Sequence, residues 1–305
     1  MAIAESFAYS RVTTVGDYFA LLKPRVMSLV VFTGLAGSIV APGHVNPLTA
    51  FTALLCIAIA AGASGALNMA YDSDIDGLMT RTATRPIPLG HVAREEALAY
   101  GWSLSALSVA IMWLFVNLLA ASLLAFTVFF YVVVYTLWLK RRTHQNIVIG
   151  GLAGALPPAI GWASVTGSLS LAPLVLVAII FMWTPPHFWA LSLWRSEDYA
   201  RAGIPMLPVV KGKPVTRRHI LAYTLLLAPL GVVPAFIGLG GMVYLVASAS
   251  MGFWMILEAF STWRERDTVK EPSAKRLFAV SLLYIFVPFT ALIVERLLHI
   301  PPLWT

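Results

Sequence analysis

Read from one end to the other, the chain alternates long apolar runs with short polar connections. Stretches apolar enough to cross a bilayer as helices fall at roughly 22–41, 48–69, 94–116, 118–139, 147–166, 171–194, 219–238, 241–261 and 276–298. Each is about 20 residues or longer, which at about 1.5 Å per residue spans the hydrocarbon core. No polar stretch is long enough for a second soluble domain. The pattern predicts an all-α, polytopic membrane protein, a bundle of nine transmembrane helices forming one domain over 1–305. Proline punctuates it. Pro24 sits where the first span begins, a position that tolerates proline. Pro157-Pro158 and Pro185-Pro186 are expected to break helices inside the membrane, which marks a cavity or a kink. Gly150 and Gly154 have the small-xxx-small spacing of close helix packing.

Composition agrees with a membrane setting. Hydrophobic residues make up 59% of the 305 and charged residues 11%, and the mean hydropathy is +0.81. So few charges cannot cover the surface of a soluble protein of this length. With the N-terminus inside, the inner segments are 1–21, 70–93, 140–146, 195–218 and 262–275, and of the 21 Lys and Arg only Arg296 falls near the other side. That is a strong positive-inside bias. Topology and attraction to anionic lipid account for most of the net charge of +7, so a nucleic-acid partner is not expected. Cys56, the single cysteine, lies mid-span and reads as a small buried residue. The N-terminus lacks a secretory signal pattern, and Glu5 and Asp17 argue against an organelle transit peptide. The expected home is a bacterial plasma (inner) membrane, multi-pass, with the N-terminus cytoplasmic.

Chemistry concentrates in the inner segments. Asn68, Asp72 and Asp76 are four residues apart at the end of the second span. Steps of four return to nearly one helix face, so an amide and two carboxylates point the same way. Asp74 lies about 200° around the helix from Asp72 and faces elsewhere. Two like charges at a membrane edge call for a cation between them, and a divalent metal is the natural one. Arg81 and Arg85 follow. A later inner segment carries Arg195, Asp198, Tyr199 and Lys211, and between the two lie Lys140, Arg141, Arg142 and Asn146. Carboxylates that hold magnesium, beside Lys and Arg that meet anionic oxygens, suit a diphosphate. Taken alone, Lys140-Arg141-Arg142 is a stop-transfer cluster, and Arg81 and Arg85 are topology signals. His187, after Pro185-Pro186 in the sixth span, is an intramembrane histidine. It is open to two readings: a functional group that ligates iron, relays a proton or orients a substrate, or a histidine bonded to a carbonyl freed by the prolines.

These residues resemble a known family. The Asn-x-x-x-Asp-x-x-x-Asp set, the following Arg-Thr and Arg85-Pro86, and Lys140-Arg141 with Thr143 are similar to the UbiA-type intramembrane prenyltransferases. Within them, Thr184-Pro185-Pro186-His187-Phe188-Trp189, Asp198-Tyr199, Gly203-Ile204-Pro205-Met206-Leu207-Pro208 and Gln145-Asn146-Ile147 resemble the haem-farnesylating branch. The likeness is close over about 23–210, and the last three spans match only in number and placement. It implies a central cavity open to the cytoplasmic side and a lateral route for lipid-soluble substrates. It also implies Mg2+-dependent transfer of a farnesyl group from farnesyl diphosphate to a vinyl group of haem B, with hydration, giving haem O. A haem A synthase or oxidase-assembly factor is the protein partner this suggests.

The expected roles follow. Asn68, Asp72 and Asp76 hold magnesium, and Asp198 is the candidate for a second ion, because the later segment lacks the second Asp-x-x-x-Asp found in many members. Arg81 and Arg85 act on the leaving diphosphate, and Arg25, Lys140, Arg141, Arg142, Asn146, His187, Arg195, Tyr199 and Lys211 contact substrate. Two rivals stand beside this reading: a prenyltransferase for a quinone precursor or chlorophyllide, and a cation or metabolite transporter. A transporter needs access from both sides, and the outer connections here are almost bare of charge.

Overall fold

The computed structural model describes residues 13–44, 46–266 and 270–304. Helices are the only regular elements among them. In chain order they are α1 (Val15–Leu21), α2 (Pro24–Val40), α3 (Pro47–Tyr71), α4 (Ser73–Asp76), α5 (Arg94–Phe115), α6 (Leu118–Phe129), α7 (Asn146–Ala155), α8 (Pro157–Thr166), α9 (Leu171–Trp194), α10 (Ser196–Arg201), α11 (Leu207–Val210), α12 (Lys213–Phe236), α13 (Met242–Arg264) and α14 (Pro272–Leu297). A π-helical segment, Phe130–Leu139, continues α6 to the inner end of its span.

Local chemistry sets the helix ends. Asn46 caps α3, its side chain accepting from Leu48 N with Pro47 as first helical residue. Asn117 caps α6 through Ala120 N and also donates 2.8 Å to Ala163 O on α8. Thr14 and Asp17 form a capping box on α1.

Among the described residues, eight helical segments are long and apolar enough to cross a membrane, with α6 plus its π-helical part, and α7 plus α8, each counted as one. The expected first span differs. It is the pair α1 and α2, bent by 53° at the break, and α2 alone is 17 residues. Two of the last three helices begin earlier than hydropathy suggests, α12 at Lys213 and α14 at Pro272. A charged helix end stays helical while its side chains reach toward water, so hydropathy under-reads it.

The bundle closes on itself. α3 packs on α5, α2 on α8, α9 on α7, α12 and α14, and α12–α13–α14 run as sequential neighbours until α14 meets α2. Glycine brings the tightest pair together: a Cβ on Gly37 would stand 2.1 Å from Pro158 O, and one on Gly161 2.0 Å from Gly34 O. Pro157-Pro158 breaks the fifth span between α7 and α8 as expected. Pro185-Pro186 does not break α9, which runs on through it; the packed neighbours hold the helix although two amide donors are missing. The small-residue pair is also corrected. A Cβ on Gly150 would meet the Tyr135 ring at 2.2 Å, whereas Gly154 faces open space and packs on nothing.

The candidate diphosphate site

The four-residue spacing delivers its face. α3 ends at Tyr71, Asp72 is its C-cap, and the single turn α4 carries the direction on to Asp76. Asn68, Asp72 and Asp76 are all buried, while the Asp74 side chain is 61% exposed. Asp74 takes two hydrogen bonds of 2.7 Å from the Arg141 guanidinium. That pairing holds its carboxyl below the usual range.

Cations crowd the buried carboxylates. Lys140 Nζ donates to Asp72 Oδ2, and Arg85 Nη1 donates to Asp76 Oδ2 at 2.6 Å. Asn68 Nδ2 donates to Asp72 Oδ2 at 2.7 Å and to Thr136 Oγ1 at 3.3 Å. Thr136 sits in the π-helical segment and donates back to Tyr131 O. The wider π turn, a feature that recurs at functional sites, aims Thr136 at Asn68 while Lys140, just past the segment, reaches Asp72. Asp72 Oδ1 is buried and makes no hydrogen bond; Arg141 Nη2 comes no nearer than 3.5 Å.

The later inner segment docks over this set. Ile75 and Met79 pack with Ile147, Tyr199, Ala202, Ile204 and Met206 in a small apolar cluster of their own. Thr80 Oγ1 donates 3.0 Å to Asp198 Oδ1, Arg201 Nη2 donates to the same oxygen, and Arg195 Nη1 lies 3.5 Å from Oδ2. Tyr199 is buried, which pushes its phenol up, and the nearby Arg81 opposes that shift. Near the site, Arg195 Nε, a donor, and Asn146 Oδ1, an acceptor, are also buried without a hydrogen bond. The Asn146 amide is held by its Nδ2 on Lys140 O.

Not every expected residue is gathered in. Arg25 is exposed on a 350 Å³ groove lined also by Phe19, Ala20, Val26 and part of Lys23, and Arg142 and Lys211 are exposed. Lys23, which sequence reasoning passed over for Arg25, is the residue that points in. Its Nζ stands 2.7 Å from Asn68 Oδ1. The signal was a lone lysine at a predicted span entry, weak beside an ordinary snorkelling end. Thr80, Thr136 and Arg201 were also missed, and no local pattern marks them.

His187 is walled in. Its ring stacks between Trp183 and Phe278, each centroid 4.3 Å away. Nδ1 is 2.6 Å from Ser281 Oγ on α14. Ser281 Oγ donates its only proton to Phe278 O, so it accepts from Nδ1–H, which leaves the lone pair on Nε2.

The chain matches the UbiA prenyltransferase family over residues 30–283. It belongs to that family. A protoheme IX farnesyltransferase of Parvibaculum lavamentivorans is 59% identical over 283 residues, covering 92% of this chain and 89% of that protein. One from Azorhizobium caulinodans is 58% identical, covering 93% and 92%. Among solved structures, a digeranylgeranylglyceryl phosphate synthase superposes with a TM-score of 0.76 at 17% identity, over 92% of this chain and 98% of that one. A UbiA homologue from Archaeoglobus fulgidus, bound to DMAPP and Mg2+, gives 0.68 at 16%, over 90% and 99%. At such identities these structures show the shared fold.

For this UbiA-family chain the donor set can be tested against a divalent metal. A buried carboxylate oxygen on Asp72 that makes no hydrogen bond, with a second buried carboxylate at Asp76, is hard-oxygen chemistry of the kind Mg2+ takes, whereas the Asn68 oxygen is already engaged by Lys23. Asp198 differs, because both its oxygens are already engaged by Thr80, Arg195 and Arg201. Among the described residues no three His, Cys, Asp or Glu side chains converge on one point. The set fits one ion at Asp72 and Asp76 better than a second ion at Asp198.

Proposed function

We propose that this protein transfers the farnesyl group of farnesyl diphosphate to a vinyl group of haem B, with addition of water, giving haem O and diphosphate. The observation that carries the reading is identity near 58% over more than nine-tenths of the chain to proteins named protoheme IX farnesyltransferase. The buried Asp72 oxygen that makes no hydrogen bond, ringed by cations, supports it independently. The positive-inside bias supports a site at the cytoplasmic face of a bacterial inner membrane.

Asp72 and Asp76 would hold magnesium, which would supply charge between acidic protein groups and the acidic substrate; Asn68, expected to join them, has its Oδ1 taken by Lys23 and its Nδ2 on Asp72. Arg85, Lys140, Arg195 and Arg81 bind diphosphate oxygens and stabilise the charge that develops as the allylic C–O bond breaks. Asp198 anchors Arg195 and Arg201 rather than a second ion. The apolar surround keeps bulk water from the farnesyl cation. The terminal vinyl carbon attacks it and forms the new C–C bond. Positive charge then lies on the carbon next to the porphyrin, where water adds and a proton leaves. His187 binds the acceptor, offering Nε2 from a ring held by Trp183, Phe278 and Ser281.

The test is the full-length protein in vesicles with haem B and farnesyl diphosphate, with and without Mg2+, and the extracted haem resolved by mass. A species heavier by one farnesyl group and one hydroxyl, formed only with Mg2+, is expected. Farnesyl diphosphate consumed only when a quinone precursor or chlorophyllide is supplied would move the chain to another acceptor. No consumption, with solute uptake into the vesicles, would make it a transporter.

A further inference from the structure

Lys23 belongs to neither helix beside it. It takes left-handed backbone, φ 52° and ψ 58°, at the break where α2 bends 53° away from α1. A residue with a Cβ is disfavoured there, and such outliers persist where the surroundings over-determine them. The side chain turns inward past Gly65, where an added Cβ would stand 3.4 Å from Lys23 Cδ. It ends at Asn68 Oδ1. On the other side of that amide, Nδ2 donates to Asp72 Oδ2 and Thr136 Oγ1. An amide between an ammonium and a carboxylate has one acceptable orientation, since the reverse sets donor on donor and acceptor on acceptor. Lys23 therefore fixes the oxygen side of the Asn68 amide as Asp72 and Thr136 fix its nitrogen side. Asn68 and Lys140 both sit on Oδ2 of Asp72, and Oδ1 is the oxygen left without a bond.

We infer that Lys23 is a positioning residue: by holding Asn68 Oδ1 it turns the amide onto Asp72 Oδ2 and leaves Asp72 Oδ1 as the atom offered to a divalent cation. Asn68 then acts through Asp72 and is not itself a ligand. This rests on the reading of Asp72 and Asp76 as the metal site. Residues that orient a metal ligand in this way affect affinity nearly as strongly as the ligand does.

The experiment uses the full chain in nanodiscs, with Mn2+ binding followed by electron paramagnetic resonance and inorganic diphosphate binding measured without metal. Lys23→Met keeps an apolar stem of similar length and removes the ammonium. Lys23→Met and Asn68→Ala should each weaken Mn2+ binding by about ten- to a hundred-fold. The double variant should be no weaker than the worse single one, because both act on the same oxygen. Diphosphate affinity should stay close to the parent's. Losses that multiply in the double variant would overturn the inference, as would unchanged Mn2+ affinity. Loss confined to diphosphate would make Lys23 a direct phosphate contact instead. Where Lys23→Met does not fold, Lys23→Arg keeps a cationic donor at Asn68 Oδ1 and should bind Mn2+ as the parent does; a deficit as large as that of Asn68→Ala overturns the inference. If the parent protein binds no Mn2+, the metal reading itself falls, which is a separate result.

Discussion

Two buried carboxylates in this molecule are built in opposite ways. Glu271, at the start of α14, is fully buried. Its Oε1 receives Lys213 Nζ and Arg217 Nη2, each at 3.0 Å, and its Oε2 receives Arg217 Nη2 at 2.8 Å. Arg217 Nη1 also donates to Glu265 O. Acceptors and donors close on one another and tie α12 to α14. Asp72, equally buried, has one oxygen crowded by Asn68 and Lys140 and the other left without a bond. Burying either carboxylate costs desolvation energy. At Glu271 the protein's own partners offset that cost; at Asp72 they do so only in part, and the surrounding cations outnumber the acids. A closed cluster staples helices; an open one is what the proposed metal would complete.

The largest expected effect breaks this contrast if it fails. Asp72→Asn should lower turnover by about a thousand-fold or more, since charge at the reacting centre is lost, while the melting temperature hardly moves. Glu271→Gln should do the reverse. It leaves buried Arg217 with a weaker partner, costing about 3 kcal/mol or more of stability, with turnover per folded molecule retained. Thermal melts and transfer assays on both variants decide, and exchanged outcomes would sink the comparison.

His187→Ala comes next. If Nε2 meets the acceptor, transfer should fall about ten- to a hundred-fold, the visible spectrum of bound haem should change, and farnesyl diphosphate binding should be nearly intact. A variant that folds, binds haem unchanged and turns over normally removes His187 from the site. Arg85→Ala should slow transfer by about a hundred-fold, as for loss of one fixed donor to developing negative charge. Arg264, exposed at the end of α13 with its guanidinium 4.7 Å over the Phe260 ring, should tolerate alanine. Equal rates for the two variants would mean that the basic residues are sorted wrongly.

Asp74→Asn is the smallest. The side chain points away from the site, so turnover should stay close to normal, and equal loss with Asp72→Asn would end the helical-face argument. Because Arg141 lowers the Asp74 pKa, the pair's stabilisation is present above the unfolded-state value and lost as pH falls through the folded-state one. The small difference in melting temperature between Asp74→Asn and the parent should therefore hold through neutral pH and vanish in strong acid.

Much of the site was legible where it depends on neighbours along one helix. The i, i+4 step from Asn68 to Asp72 is a real hydrogen bond, and Asp74 faces out as its rotation requires. Legibility stops where distant segments decide. Asp198 was the candidate for a second ion, yet Thr80, 118 positions away, donates to one of its oxygens. His187 looked open to several roles until Ser281 on α14 settled its proton. Arg25 and Lys23 flank the same proline, and only the bend at Lys23 says which one turns inward.

By itself, the amino-acid order determined the class of molecule, because hydrocarbon admits only internally bonded helices and penalises charge. It determined the spans after the first, the one-sided charge and the face shared by Asn68, Asp72 and Asp76, because helical periodicity is a local property. The tertiary structure alone decided which cations meet which acids, which carboxylate is closed and which is left open, and which side of the histidine carries its proton. Those outcomes depend on where the ends of α2, α3, α9, α12 and α14 converge. Convergence follows from the packing of whole helices, such as the glycine contact of α2 on α8, and no short window of sequence contains it.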